Sequence, residues 1–103
     1  MPVHSLETLR EIIQNTPDHV VFSTKSKTVD ACRRLGIPKR EMFQVLLELE
    51  PEHFYKSVDD HFIVGDQLDV YYYDYESIPL YIKFKITIIN GKKLIVTSMH
   101  GRK

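Results

Sequence analysis

LYIKFKITIINGKKLIV, residues 80 to 96, sets the architecture of the chain. Successive side chains of a strand point to opposite faces, so Leu80, Ile82, Phe84, Ile86 and Ile88 share one side and Tyr81, Lys83, Lys85 and Thr87 the other. The apolar side is a core face. The polar side is either a solvated back or a working surface. Asn90-Gly91 then marks a hairpin, because both residues tolerate the positive φ of a type I′ turn. A two-residue loop pairs Tyr81 with His100, Lys83 with Ser98, Lys85 with Val96 and Thr87 with Leu94. A four-residue loop instead places Lys83 by His100 and Tyr81 by Arg102. Either register gathers Tyr81, Lys83, Ser98 and His100 on one face.

Outward from this hairpin the chain changes character at Pro51. Before it, Ser5 is a candidate N-cap for a helix carrying Leu6, Leu9, Ile12 and Ile13, which ends before Pro17. HVVFST, 19 to 24, reads as a short strand. Thr28 or Ser26 caps a second helix with Val29, Cys32 and Leu35, stopped by Gly36. Pro38 suits the first turn of a third, lined by Met42, Val45, Leu46 and Leu49. After Pro51, HFIV, LDVYYYDY, LYIKFKITII and KLIVTSM read as strands, with turns at Gly65-Asp66, Ser77-Ile78-Pro79 and Asn90-Gly91. Helices followed by strands predict an α+β domain, its N-terminal helices packed on one face of a twisted antiparallel sheet.

At 103 residues the chain is expected to be one domain, 1–103, with a single modest core. No apolar run is long enough to span a membrane, and the N-terminus lacks the basic start and apolar block of a signal peptide. The single cysteine, Cys32, supplies neither an internal disulfide nor a zinc knuckle, so a reducing cytoplasm is the expected compartment. Net charge is zero, but its distribution is uneven. Glu48 to Glu76 holds nine carboxylates and one lysine, Lys56, whereas Lys83 to the end holds six basic residues and no carboxylate. A polyanion feels such a local basic surface rather than the net charge.

Tyrosine, lysine and histidine on one sheet face suit phosphodiester chemistry. Lysine stabilises charge building on phosphate oxygens, histidine passes protons near neutrality, and a tyrosine orients a reacting group or stacks on a base. No metal or cofactor is called for when the attacking group is the RNA's own 2′-hydroxyl held in line.

HFYKSVDDH, then DVY at Asp69, LYIKF and a closing LIVTSM resemble the MqsR family of bacterial type II toxins, within the wider RelE-like group of small ribonucleases. The matching pieces are Phe54-Tyr55-Lys56-Ser57, Asp69-Val70-Tyr71, Tyr81-Ile82-Lys83 and Leu94-Ile95-Val96 with Ser98, across about Leu6 to His100. The resemblance implies a RelE-like fold and a cytoplasmic mRNA endoribonuclease that arrests translation until a cognate antitoxin binds. It further implies metal-independent cleavage through the 2′-hydroxyl, leaving a 2′,3′-cyclic phosphate, with Lys56 and Tyr81 as catalytic residues. The family's closing phrase is L-I-V-S-F-K-E, so His100 stands near its lysine and is the expected proton-transfer group. The family's Trp-Gln before Asp-Val-Tyr is here Gln67-Leu68, one residue early for the glutamine. Gln67 contacts RNA only if a bulge at Gly65-Asp66 turns it to the right face. Lys83 and Arg102 complete the expected RNA contacts. An edge strand leaves pairing open to a partner, a second copy or nothing, a dimer through the antitoxin complex among them.

Three other readings compete. Residues 28–49 look like a helix-turn-helix of a DNA- or protein-binding module, with Arg33, Arg34, Lys39 and Arg40 for phosphates, but Met42, Phe43, Leu46 and Leu47 occupy the recognition helix. Tyr71, Tyr72, Tyr73 and Tyr75 suit either a protein interface or a half-buried strand. Asp59, Asp60, His61, Asp66 and Asp69 offer oxygen ligands without an EF-hand spacing.

Overall fold

The structure, a computed structural model, describes residues 1–24, 27–88 and 91–102. Helix α1 spans Leu6–Asn15, strand β1 Val20–Phe22, α2 Thr28–Arg34, α3 Lys39–Leu47, β2 Phe54–Asp59, β3 Gln67–Tyr75, β4 Ile78–Thr87 and β5 Lys93–Gly101. The Ser5 hydroxyl caps α1 by accepting from the Thr8 N–H at 3.2 Å, and Leu9, Ile12 and Ile13 are buried. Pro38 sits just before α3, whose Met42, Val45 and Leu46 fill the core. Cys32 is buried, its Sγ donating to the Met99 carbonyl at 3.2 Å, and burial pushes its thiol up to about 11. It is a packing residue.

The five strands lie in the order β1-β5-β4-β3-β2, antiparallel except that β1 runs parallel to β5. The helices cover one face. Leu9, Ile12, Met42, Val45 and Leu46 pack there on Tyr71, Leu80, Ile82, Phe84, Leu94, Val96 and Met99, which are all at or near zero exposure. The alternation read from residues 80 to 86 thus holds, and the fold is α+β. Among the described residues no helix is long and apolar enough to cross a membrane.

Four local expectations are corrected. HFIV is not a strand; FYKSVD is. The Asp60 carboxylate accepts from the N–H groups of Phe62 and Ile63, at 2.8 and 3.4 Å, which withdraws those donors from any ladder and turns the chain. The β3–β4 turn is Glu76-Ser77, both at positive φ, and Ile78 and Pro79 belong to β4. Ile88 lies past the end of β4 and is exposed. Thr28 is inside α2 rather than capping it, its hydroxyl donating to the Thr97 carbonyl at 3.4 Å. Ser26 and Asn90 lie outside the described residues.

Candidate functional site

The helix-free face is shaped by two β-bulges. In β2 the register shifts between Phe54, opposite Tyr71, and Lys56, opposite Val70. Tyr55 is the extra residue. Phe54 therefore packs edge-on against Tyr71 in the core, ring centroids 5.6 Å apart, while Tyr55 and Lys56 both turn to the other side. In β5 the shift falls between Ser98, opposite Lys83, and Val96, opposite Phe84, which makes Thr97 the extra residue. Leu94, Val96 and Met99 can then all reach the core although Val96 and Met99 differ by an odd step. The Thr97 hydroxyl secures the bulge by donating to the Lys83 carbonyl at 3.2 Å.

The pairs Tyr81–His100 and Lys83–Ser98 form as a two-residue loop requires. Beyond the bulge, Lys85 pairs with Ile95 and Thr87 with Lys93, not with Val96 and Leu94. Deleting Thr97 would leave Val96, Ser98, Met99 and His100 in strict alternation with their present directions. The variant is expected to fold, losing at most about 2 kcal/mol for the two hydroxyl bonds at the bulge. Thermal unfolding followed by circular dichroism measures this, and a chain that does not fold would contradict it.

Four rings cross the sheet from β2 to β5. Tyr55 stacks on Tyr72 at 4.4 Å, Tyr72 lies 6.0 Å from Tyr81, and Tyr81 stacks on His100 at 5.0 Å. The Arg102 guanidinium lies 4.5 Å above Tyr72, steadied by bonds to the Asp74 carboxylate at 3.0 Å and the Leu80 carbonyl at 3.3 Å. Lys56 lies 5.3 Å from the Tyr55 ring. Neither Lys56 nor Lys83 forms an ion pair with a described residue. His100 Nδ1 donates to the Gly101 carbonyl at 2.9 Å, which leaves Nε2 of the neutral ring as a proton acceptor. Burial, then the neighbouring Tyr72 and Tyr55, holds the Tyr81 phenol above its ordinary range, so its hydroxyl is a donor at neutral pH.

The sequence profile of the family described as "Motility quorum-sensing regulator, toxin of MqsA" matches residues 1–101. The chain belongs to the MqsR toxin family. It is a toxin of a toxin–antitoxin system, and the family's description names MqsA as its counterpart. Comparison with curated proteins finds no match.

In this MqsR-family toxin Lys56, Tyr81, Lys83, His100 and Arg102 share the ring-bearing face, and Tyr55 and Tyr72 join them. Gln67 does not. No bulge interrupts β3, so Gln67 shares the helix-side face with Asp69 and Tyr71. Its amide lies 3.5 Å from Asp59. Leu68 points to the ring-bearing side instead and is buried. Lys85 is also spent elsewhere. Its ammonium bridges Asp60 at 2.7 Å and Asp66 at 2.9 Å, pinning residues 60–66 to the sheet. Asp69 accepts from the N–H groups of Val3 and His4 and from the Ser57 hydroxyl. The acidic residues 59–69 are thereby largely occupied in holding the loop and the N-terminal segment. Residues 28–49 commit Cys32, Met42, Val45, Leu46 and Leu49 to the core, which buries Met42 and Leu46 of the supposed recognition helix instead of presenting them to DNA.

Proposed function

We propose that this toxin is an mRNA endoribonuclease that inhibits translation by cutting its substrate through the RNA's own 2′-hydroxyl. The observation that carries this reading is the row of four rings flanked by Lys56 and Lys83, neither of them ion-paired among the described residues. Rings accept the faces of unpaired bases, and cations beside them accept the backbone.

With the scissile phosphate over Tyr81, His100 is the neighbour on β5 and Lys56 reaches in from two strands away on β2. Neighbouring strands lie about 4.8 Å apart, so β2 and β4 are about 9.6 Å apart, and Lys56 leans across β3 to meet a phosphate that stands above the sheet. His100 Nε2 takes the proton of the 2′-hydroxyl, whose oxygen attacks phosphorus. The Tyr81 hydroxyl and the Lys83 ammonium stabilise charge on the non-bridging oxygens. The bond to the 5′-oxygen breaks, and the Lys56 ammonium supplies that oxygen's proton. The products are a 2′,3′-cyclic phosphate and a 5′-hydroxyl. Every proton is accounted for by these side chains, with no metal in the scheme. The antitoxin would act by denying RNA this face or by holding the toxin away from it.

The test is incubation of purified toxin with long single-stranded RNA in EDTA, followed by mapping of the product ends. Defined cuts ending in cyclic phosphate are expected. Products bearing 5′-phosphate, cutting that requires added Mg²⁺, or no cutting of either free or ribosome-bound mRNA would each overturn the reading.

A further inference from the structure

Along β4 the ring-bearing face continues past Tyr81 and Lys83 into a hollow of about 410 Å³. Leu68 and Ile95 form its floor, Phe62 and Ile63 its outer wall, His61 lies at the rim and Lys83 at the mouth. We propose that this hollow receives one nucleobase of the RNA and sets the sequence preference of cutting. The inference rests on the ribonuclease reading and extends it to a hollow whose outer wall, Phe62 and Ile63, lies outside the matching family phrases.

Size, chemistry and position argue together. The volume falls in the range of small-ligand pockets, which are apolar-walled with a few polar groups at defined places. Phe62, 79% exposed, and Ile63, 52%, give the wall apolar surface of the kind a flat base packs on. The rim offers His61 and the Ser23 hydroxyl to a base edge. Asp60 and Asp66 would repel RNA, but both are bound to the Lys85 ammonium. The same bonds hold the wall in place before any ligand arrives, which lowers the entropy cost of binding. Lys83 decides the class of ligand. It lies between Tyr81 and the hollow, and alternate residues of a strand are about 6.6 Å apart. A base in the hollow and a base on the ring row would therefore flank a phosphate held at Lys83. An apolar peptide would find no use for that cation.

Two measurements test the proposal. The first is sequencing of cut sites in a randomised RNA pool with wild type, Phe62→Ala and Ile63→Ser, both exposed changes that spare the core. The preference at one position flanking the cut is expected to fall about tenfold in Phe62→Ala, since stacking is the main term lost. An unchanged preference in both variants overturns the assignment while leaving the ribonuclease reading intact. The second is titration of ¹⁵N-labelled wild type with the four nucleoside 5′-monophosphates, which is independent of cleavage. Amide shifts at His61–Ile63 and Ile95 support the site even if no RNA is cut. Silence of those amides for all four nucleotides overturns it.

Discussion

Tyr81→Phe is expected to lower the rate of RNA cleavage by about 10²- to 10³-fold while leaving RNA affinity within about twofold. The ring remains between Tyr72 and His100, so the stacking row survives; only the hydroxyl proposed to face the phosphate is lost. Tyr81→Ala removes ring and hydroxyl together and should weaken binding as well, by the worth of a base–aromatic stack. Lys56→Ala is expected to match the loss in Tyr81→Phe or exceed it, because in the proposed scheme one ammonium both offsets charge and protonates the leaving oxygen. The phenol's pKa is raised, so its donor role is present at all lower pH and is lost only above the ordinary tyrosine value of 10.0. Activity should therefore not decline through Tyr81 between neutrality and pH 10. Single-turnover cleavage, with affinity measured on a 2′-deoxy substrate, separates the two effects. A Tyr81→Phe enzyme cutting within threefold of wild type would remove Tyr81 from the chemistry.

The strand carrying Tyr81 was readable because its period is regular: Leu80, Ile82 and Phe84 are core, and Tyr81 and Lys83 are not. What escaped the pattern are the two places where the period breaks. Phe54 and Lys56 have the same parity, yet one is apolar and the other charged. Leu94, Val96 and Met99 are all apolar with an odd step among them. Each conflict is the signature of a bulge, and resolving them this way would have brought Tyr55 beside Lys56 and kept His100 beside Tyr81. Thr97 is also the residue by which LIVTSMH exceeds the family's L-I-V-S-F-K. The bulge absorbs it and keeps His100 opposite Tyr81. Tyr72 was visible only as one of a run of tyrosines. The neighbouring strands distinguish it, burying Tyr71 and setting Tyr72 between Tyr55 and Tyr81. Lys85 reads only as part of the strand's polar side because nothing local announces its partners. They come from the turn that HFIV forms in place of a strand.

That turn supports the second large effect. Asp60→Ala should destabilise the fold by about 3 kcal/mol, because it strands a buried ammonium with Asp66 as its remaining partner and strips the cap from Phe62 and Ile63. Lys85→Met in an Asp60→Leu background should cost far less, since matched apolar groups need no desolvation of charge. The bridge also fixes a pH window. Hydrogen bonds from Lys85, then from the Phe62 amide, lower the Asp60 carboxyl below its ordinary 3.8. Its contribution is thus complete above that value and lost as pH falls through the lowered one. Burial opposes the Lys85 charge, but the bonds to Asp60 and Asp66 outweigh it and raise its pKa above 10.5. That contribution is complete below 10.5 and lost as pH rises past the raised value. Between these limits the bridge should be indifferent to pH, and urea unfolding of wild type and Asp60→Ala across pH 3 to 8 tests this. The gap between them should stay constant above about pH 5 and begin to narrow below 3.8. A gap that does not narrow at all below 3.8 would mean that the lost cap, which a protonated carboxyl still partly provides, matters more than the ion pair. In that case the loop beside the ring-bearing face is held by its own turn and not by the sheet beneath it.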